Sequence, residues 1–170
     1  MDNKTATFRL AVLTDAPDMA EIHARSWEVA YKDIIPAEYI KEKNTTRPAL
    51  WQCILSEENT TRYVVQTDGK TVGLLAFGSP DDDDLDDSVY DLQGLYLHPT
   101  VFRQGIGALA TNFAFNAARA LGKTAMVVWV FEDNTNSVIF YEKCGFVADG
   151  KTKTLSYGKP LQCIRMRCEL

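Results

Sequence analysis

The chain has 170 residues, 46% of them hydrophobic and 24% charged, with a net charge of −5 and an isoelectric point near 5.0. That length suits one self-sufficient domain over residues 1–170, and the acidic balance argues against a nucleic-acid footprint. Four scattered cysteines (Cys53, Cys144, Cys163, Cys168) and two histidines give neither a disulfide framework nor metal-ligand spacing, so no metal is expected.

The opening MDNKTATFRL lacks the basic and apolar blocks of a signal peptide. No run approaches the ~18 apolar residues that span a bilayer, so the expected setting is a reducing cytoplasm away from membranes. "TATFRLAVLT" reads as a first strand, followed by Thr14 or Asp15 as a helix N-cap and Pro17 in the first turn. The helix "DMAEIHARSWEVAYK" carries one stripe of Met19, Ile22, Ser26 and Val29 and a second of His23, Trp27 and Tyr31. The second stripe suits either the wall of a binding pocket, through Trp27 and Tyr31, or plain core packing. "IIPAEYIKEK" and "RPALWQCILSEE" predict two short helices. "RYVVQTDGKTVGLLAFG" predicts a hairpin turning at Asp68, Gly69 and Lys70.

The acidic run Asp81 to Asp87 reads as a solvated loop whose sign would steer a cationic acceptor. "SVYDLQGLYLH" is a strand, and a helix follows from about Gly105 to Leu121, with Ala110, Phe113, Ala114, Ala117 and Leu121 on one face. Gly122 fits the C′ position of that helix. "AMVVWVF" is apolar throughout, as in a strand covered on both faces. "NSVIFYEKCG" reads as a helix ending at Gly145, and two strands close the chain. In the last, Ile164, Met166 and Cys168 alternate with Arg165, Arg167 and Glu169. The fold class is therefore α/β in the mixed α+β sense: a single domain on a mixed, mostly antiparallel, twisted sheet of about six or seven strands, flanked by about four helices.

The stretch "HPTVFRQGIGALA" concentrates the chemistry. A strand that ends, a glycine-bearing turn and a helix that begins make an anion site, because the first N–H groups of a helix have no internal acceptors and its dipole favours negative charge. Arg103 and Gln104 add donors, and Gly105 and Gly107 let the backbone approach a phosphate. The dinucleotide fingerprint fails, because Ala110 stands where its third glycine would fall, and no Gly-Lys-Ser/Thr is present for a Walker loop.

Taken with the later "NTNSVIFYEKCGF", this stretch resembles the GNAT N-acetyltransferase family. Gly105 and Gly107 occupy the glycines of its Q/R-x-x-G-x-G/A pattern. Asn134, Phe140, Tyr141, Gly145 and Phe146 match its N-x-x-A-x-x-F-Y-x-x-x-G-F pattern, with Ser137 in place of alanine. Phe102 stands where the first pattern has Gln or Arg, with Arg103 one place later. The order of elements fits from residue 7 to 170.

The resemblance implies acetyl-CoA as co-substrate and acetyl transfer to a small-molecule or peptide amine by direct attack in a ternary complex. A non-catalytic acyl-CoA-binding or regulatory module is the alternative, and a homodimer stays open. It also implies that Leu95, Tyr96 and Leu97 lie along the acetyl and pantetheine groups through their backbone. Arg103, Gln104, Gly105, Ile106, Gly107 and Ala108 would cradle the pyrophosphate, Asn134 would contact the cofactor, and Tyr141 would sit near its sulfur. Tyr141 is then the expected general acid for the departing thiolate. For the base, the glutamate of some members is replaced here by Trp129, which cannot serve. Asp91 acting through a water and, less strongly, His23 are the candidates. Cys144 as a covalent nucleophile is disfavoured, since direct attack on a thioester needs none.

Overall fold

The computed structural model describes residues 5–57 and 61–170. Seven strands, β1 (Thr7–Leu10), β2 (Arg62–Thr67), β3 (Lys70–Gly78), β4 (Val89–Leu97), β5 (Ala125–Phe131), β6 (Val147–Ser156) and β7 (Pro160–Glu169), form one sheet in the order β1-β2-β3-β4-β5-β7-β6. The helices are α1 (Ala16–Ala30), α2 (Ala37–Ser56), α3 (Ile106–Ala120) and α4 (Thr135–Lys143). The β1–β2, β2–β3, β5–β7 and β6–β7 pairs are antiparallel and β4–β5 is parallel. None of the described helices is long and apolar enough to cross a membrane.

Internal contacts divide the chain into two compact units. The first takes the described residues up to Ala76 together with Gly94–Ala110, and the second takes Phe77–Gln93 and Thr111–Leu170. In the first, the β2–β3 hairpin turns through Asp68 and Gly69, both at positive φ, which matches the right-handed twist of its strands. Its core joins Ala16, Met19, Ala20 and Ile22 of α1 to Trp51, Val64 and Leu74. Val29, expected on the inward stripe of α1, is 47% exposed because the helix ends one residue later and its last turn leaves the core.

The two short helices expected over residues 34–43 and 47–58, residue 58 lying outside those described, are one helix, α2, with Pro48 inside it. Proline removes one intrahelical N–H donor. Burial of Ile40, Arg47 and Trp51 on the helix holds its course, and the Arg47 Nε–H donates to Asn44 Oδ1 at 2.7 Å in the turn that proline disturbs.

Helix α3 buries Ala110 in the first unit and Thr111, Ala114, Phe115 and Ala118 in the second, a face shifted from the expected one. Leu121 lies beyond the helix end and is 63% exposed. Gly122, at φ +74°, occupies the expected C′ position: its N–H reaches Arg119 O while Lys123 N–H reaches Ala118 O, a Schellman closure. β5 is buried along nearly its whole length, as its apolar run requires.

The acidic run is a largely exposed loop, as expected, but it is tethered: Leu85 packs on Val89, Ala125 and Val127, and Asp82 and Asp84 are tied to Arg165. One expectation is corrected: β7 does not alternate apolar-in, polar-out. Flanked by β5 and β6 in the sheet, it buries Arg165 as deeply as Met166.

Candidate active site

In the first unit, β4 runs out at Leu97 into a turn built by its own polar groups. His98 Nδ1 accepts from Thr100 N–H at 3.3 Å and lies 2.7 Å from the Thr100 hydroxyl, and the Gln104 amide donates back to Thr100 O at 2.7 Å. Arg103 (φ +59°) and Gly105 (φ +82°) both adopt left-handed backbone, and buried Ile106 then anchors the first turn of α3. Nothing lies within 4 Å of where a Cβ at Gly105 would be, so the glycine is required by its φ and leaves open space at the helix N-terminus. Arg103 is exposed on this rim. The loop fits an anionic diphosphate: a helix N-terminus, an open approach and a cation beside it.

Among Leu95, Tyr96 and Leu97, alternation sends Tyr96 one way and the two leucines the other. The Tyr96 ring stacks on His23 at 4.3 Å, and burial pushes its hydroxyl pKa up. Leu97 lies over Gly73 of β3, where a Cβ would press on the Leu97 side chain and stand 3.1 Å from Tyr96 O and 3.2 Å from Val65 Cβ. Gly73 escaped the sequence reading, since its role is to make room for a strand far along the chain.

His23 sits in a box of aromatic rings formed by Trp27 (5.6 Å), Trp51 (5.9 Å) and Tyr96. Burial, and behind it the Arg47 charge, pull its pKa down to about 3. The Trp51 indole N–H can only donate, and it reaches His23 Nδ1 at 3.3 Å, which puts the ring proton on Nε2. Nε2 is itself buried with no hydrogen-bond partner among the described residues. In this tautomer the ring has no vacant lone pair to take a proton. Trp27 is buried, with the Arg47 guanidinium 4.3 Å from its ring, and half-buried Tyr31 meets it edge-on at 5.3 Å. Arg47 is only 3% exposed; no motif marks it, and its place comes from the α1–α2 packing.

In the second unit, Asp91 lies on β4 opposite Val127 of β5. Burial raises its pKa to about 7, with like charge from Asp82 and Asp81 adding to the shift and Lys153 and Arg165 opposing it. Asp82 is held by the Trp129 indole N–H at 3.1 Å and by Arg165 at 3.4 Å. Arg165 also donates to both oxygens of Asp84 at 2.8 Å and to Asp149 at 2.7 Å. Trp129 thus orients the carboxylate nearest in effect to Asp91. Lys153 of β6 lays its ammonium 3.9 Å over the Trp129 ring.

On α4 of the same unit, Asn134 is the N-cap: buried, its Oδ1 accepts from Ser137 N–H at 3.2 Å. That cap accounts locally for an asparagine at this position. Tyr141 is half-buried, its ring edge-on to buried Phe146 at 5.5 Å, and Gly145 at φ +97° closes the helix behind it. The Cys144 thiol is pushed up by burial, which keeps it protonated and poorly nucleophilic. Among the described residues no group of His, Cys, Asp and Glu is placed to hold a metal.

A model of the acetyltransferase (GNAT) family matches residues 17–146. The chain is 31% identical over 138 residues to the uncharacterized N-acetyltransferase YuaI of Bacillus subtilis, covering 80% of this chain and 77% of that protein. In fold it is similar to the PaiA N-acetyltransferase of Thermoplasma acidophilum in complex with coenzyme A (TM-score 0.77, 17% identity, 98% and 99% of the two chains). It is similar also to YncA of Salmonella typhimurium, a putative acetyltransferase with its cofactor acetyl-CoA (TM-score 0.69, 19% identity, 98% and 94%).

Proposed function

Because the chain belongs to the acetyltransferase (GNAT) family, we propose that it moves the acetyl group of acetyl-CoA onto a primary amine by direct attack in a ternary complex, residues 1–170 serving as one N-acetyltransferase domain. The two fold neighbours that hold coenzyme A or acetyl-CoA support that co-substrate. The turn from Arg103 to Ala108 suits its pyrophosphate, and the backbone of Leu95–Leu97 suits its acyl arm. Acetyl-CoA supplies the activated acyl carbon; the remaining work falls to the chain's own groups.

The acceptor arrives as an ammonium with an ordinary pKa near ~10.4, so a base must remove a proton before attack. Asp91, with a pKa of about 7, takes that proton through a water. This is the observation that carries the catalytic reading over a binding module. A backbone N–H at Leu97 donates to the oxygen on which charge develops. Tyr141 gives the departing thiolate its proton; between the ordinary values of ~10 for a phenol and ~8.5 for a thiol this transfer is slightly uphill, and the breaking C–S bond drives it. His23, with its lone pair engaged, serves packing instead. The chain's four free cysteines suit a reducing cytoplasm.

A panel of small amines and lysine peptides, followed by thiol release from acetyl-CoA, tests this function. Turnover above the amine-free rate is expected with at least one member. Tight coenzyme A binding with no turnover on any amine would instead establish the non-catalytic module.

A further inference from the structure

Lys153 is an amine that the fold holds on Trp129, within electrostatic reach of Asp91. Its ammonium lies 3.9 Å from the Trp129 ring centre, and its charge is close enough to Asp91 to pull that carboxyl's pKa down against the effect of burial. Strand register accounts for the placement. Lys153 pairs with Cys163, Cys163 with Phe131, and Trp129 with Arg165, which puts Lys153, Arg165 and Trp129 on one face of three neighbouring strands. Asp91 joins that face through its pairing with Val127, two residues from Trp129. The groups around Asp91 are Asp81 and Asp82 from the acidic loop, Lys153 from β6 and Arg165 from β7; Cys163 beneath Lys153 is a thiol whose pKa burial raises.

We propose that Lys153 is an acetyl acceptor of the enzyme itself, modified in cis because Trp129 holds its amine on the sheet face that carries Asp91. The inference rests on the acetyltransferase reading above. In the step, Asp91 accepts one proton from the Lys153 ammonium through a water and passes it to solvent. The neutral Nζ attacks the thioester carbonyl carbon of acetyl-CoA, forming the C–N bond as the C–S bond breaks. The second proton leaves nitrogen for the coenzyme A thiolate, giving acetyl-lysine and free thiol. Modification removes the charge from the Trp129 ring, so the enzyme alters the surroundings of its own base.

Lys151 is a built-in control. It lies two residues away on the same exposed strand, but its ammonium pairs with Asp84 at 3.3 Å, whereas that of Lys153 lies over the Trp129 ring. The purified full chain is incubated with acetyl-CoA, and acetylation of each lysine is followed in time by peptide mass spectrometry. Lys153 is expected to acquire acetyl at least tenfold faster than Lys151. The excess should rise as pH passes 7, should not change with enzyme concentration, and should collapse in Asp91→Asn and in Trp129→Leu. Equal rates at the two lysines, a fraction labelled per unit time that rises with enzyme concentration, or an undiminished excess in folded Asp91→Asn would each overturn the proposal. The pH series on the unaltered chain keeps the test decisive should either variant fail to fold. The same tubes, supplied with the amine panel and assayed for thiol, separate the two claims. Amine turnover with Lys153 unmodified sinks this inference alone, whereas no thiol release and no label sinks the acetyltransferase mechanism with it.

Discussion

At Asp91 a single carboxyl has been moved into the working range of an enzyme by its neighbours. Burial is the largest cause, and the negative charge of Asp82, steadied by the Trp129 N–H and Arg165, is the next. A carboxyl titrating near 7 is half-ionised where an amine must be relieved of its proton. Replacing Asp91 with Asn is therefore expected to lower kcat by roughly 10²–10⁴-fold and to erase the acid limb of the kcat/KM profile near pH 7. An unchanged profile would assign the limb to another group. Tyr141→Phe removes a hydroxyl and keeps the ring that meets Phe146 edge-on, so the helix end should survive. Its expected signature is a fall in kcat of about 10²-fold with coenzyme A affinity retained, read from steady-state kinetics and calorimetry. Both residues were nameable from the chain alone. What moved Asp91 was not, since Asp82, Trp129, Lys153 and Arg165 come from four separate segments.

Two elements place the loop proposed to hold the cofactor, and each carries its own test. Where β3 passes β4, Gly73 leaves the space that Leu97 fills. Gly73→Ala should cost about 1–3 kcal/mol of unfolding free energy by overpacking. Adding Leu97→Ala should return part of that loss, a coupling that a double-mutant cycle in urea would show. At the opening of α3, Arg103 holds left-handed backbone, which disfavours a residue with a Cβ by ~1–2 kcal/mol. Arg103→Gly relieves that strain at an entropic cost of similar size, so stability should shift by no more than about 1 kcal/mol. Coenzyme A affinity should meanwhile fall by about tenfold or more, through loss of a charge-assisted contact of ~1.5–3 kcal/mol. Unaltered affinity in calorimetry would show that the backbone alone cradles the phosphates. The helix pair shows how packing overrides local signals: Pro48 suggested a break, and burial of Ile40, Arg47 and Trp51 kept α2 whole.

For the whole molecule, two buried groups bend the pH dependence of stability in opposite directions. His23 is ordinarily near 6.5 and falls to about 3 in the fold, so the unfolded chain binds the proton first. The stabilisation its neutral ring provides is complete above pH 6.5 and drains away as pH drops toward 3. Asp91 rises from 3.8 to about 7, so its neutral form is favoured by folding. That contribution is present below pH 3.8 and is lost as pH climbs through 7. Over the shared interval the slopes oppose each other. Asp91→Asn removes the Asp91 slope and leaves that of the histidine in place, so the variant should gain on the parent from little at pH 4 to as much as about 4 kcal/mol at pH 8. Urea midpoints at pH 4, 6 and 8 measure the gain, and a constant difference across them would show that Asp91 titrates alike in the folded and unfolded chain.

The order of strands and helices, the hairpin at Asp68–Gly69, the glycine-bearing turn before α3 and the closures at Gly122 and Gly145 were set by the sequence itself. Each follows from forces acting within a few residues: apolar periodicity, positive φ that only some residues tolerate, and helix ends that need capping. The deep burial of Arg165 and Arg47, the pinning of the acidic run by Arg165 and Leu85, the neutral His23 and the Lys153 ammonium on Trp129 were decided by tertiary structure. They depend on which distant segments strand register and helix packing bring together, and on how far burial removes a charge from water. Neither quantity is written in any short window of the chain.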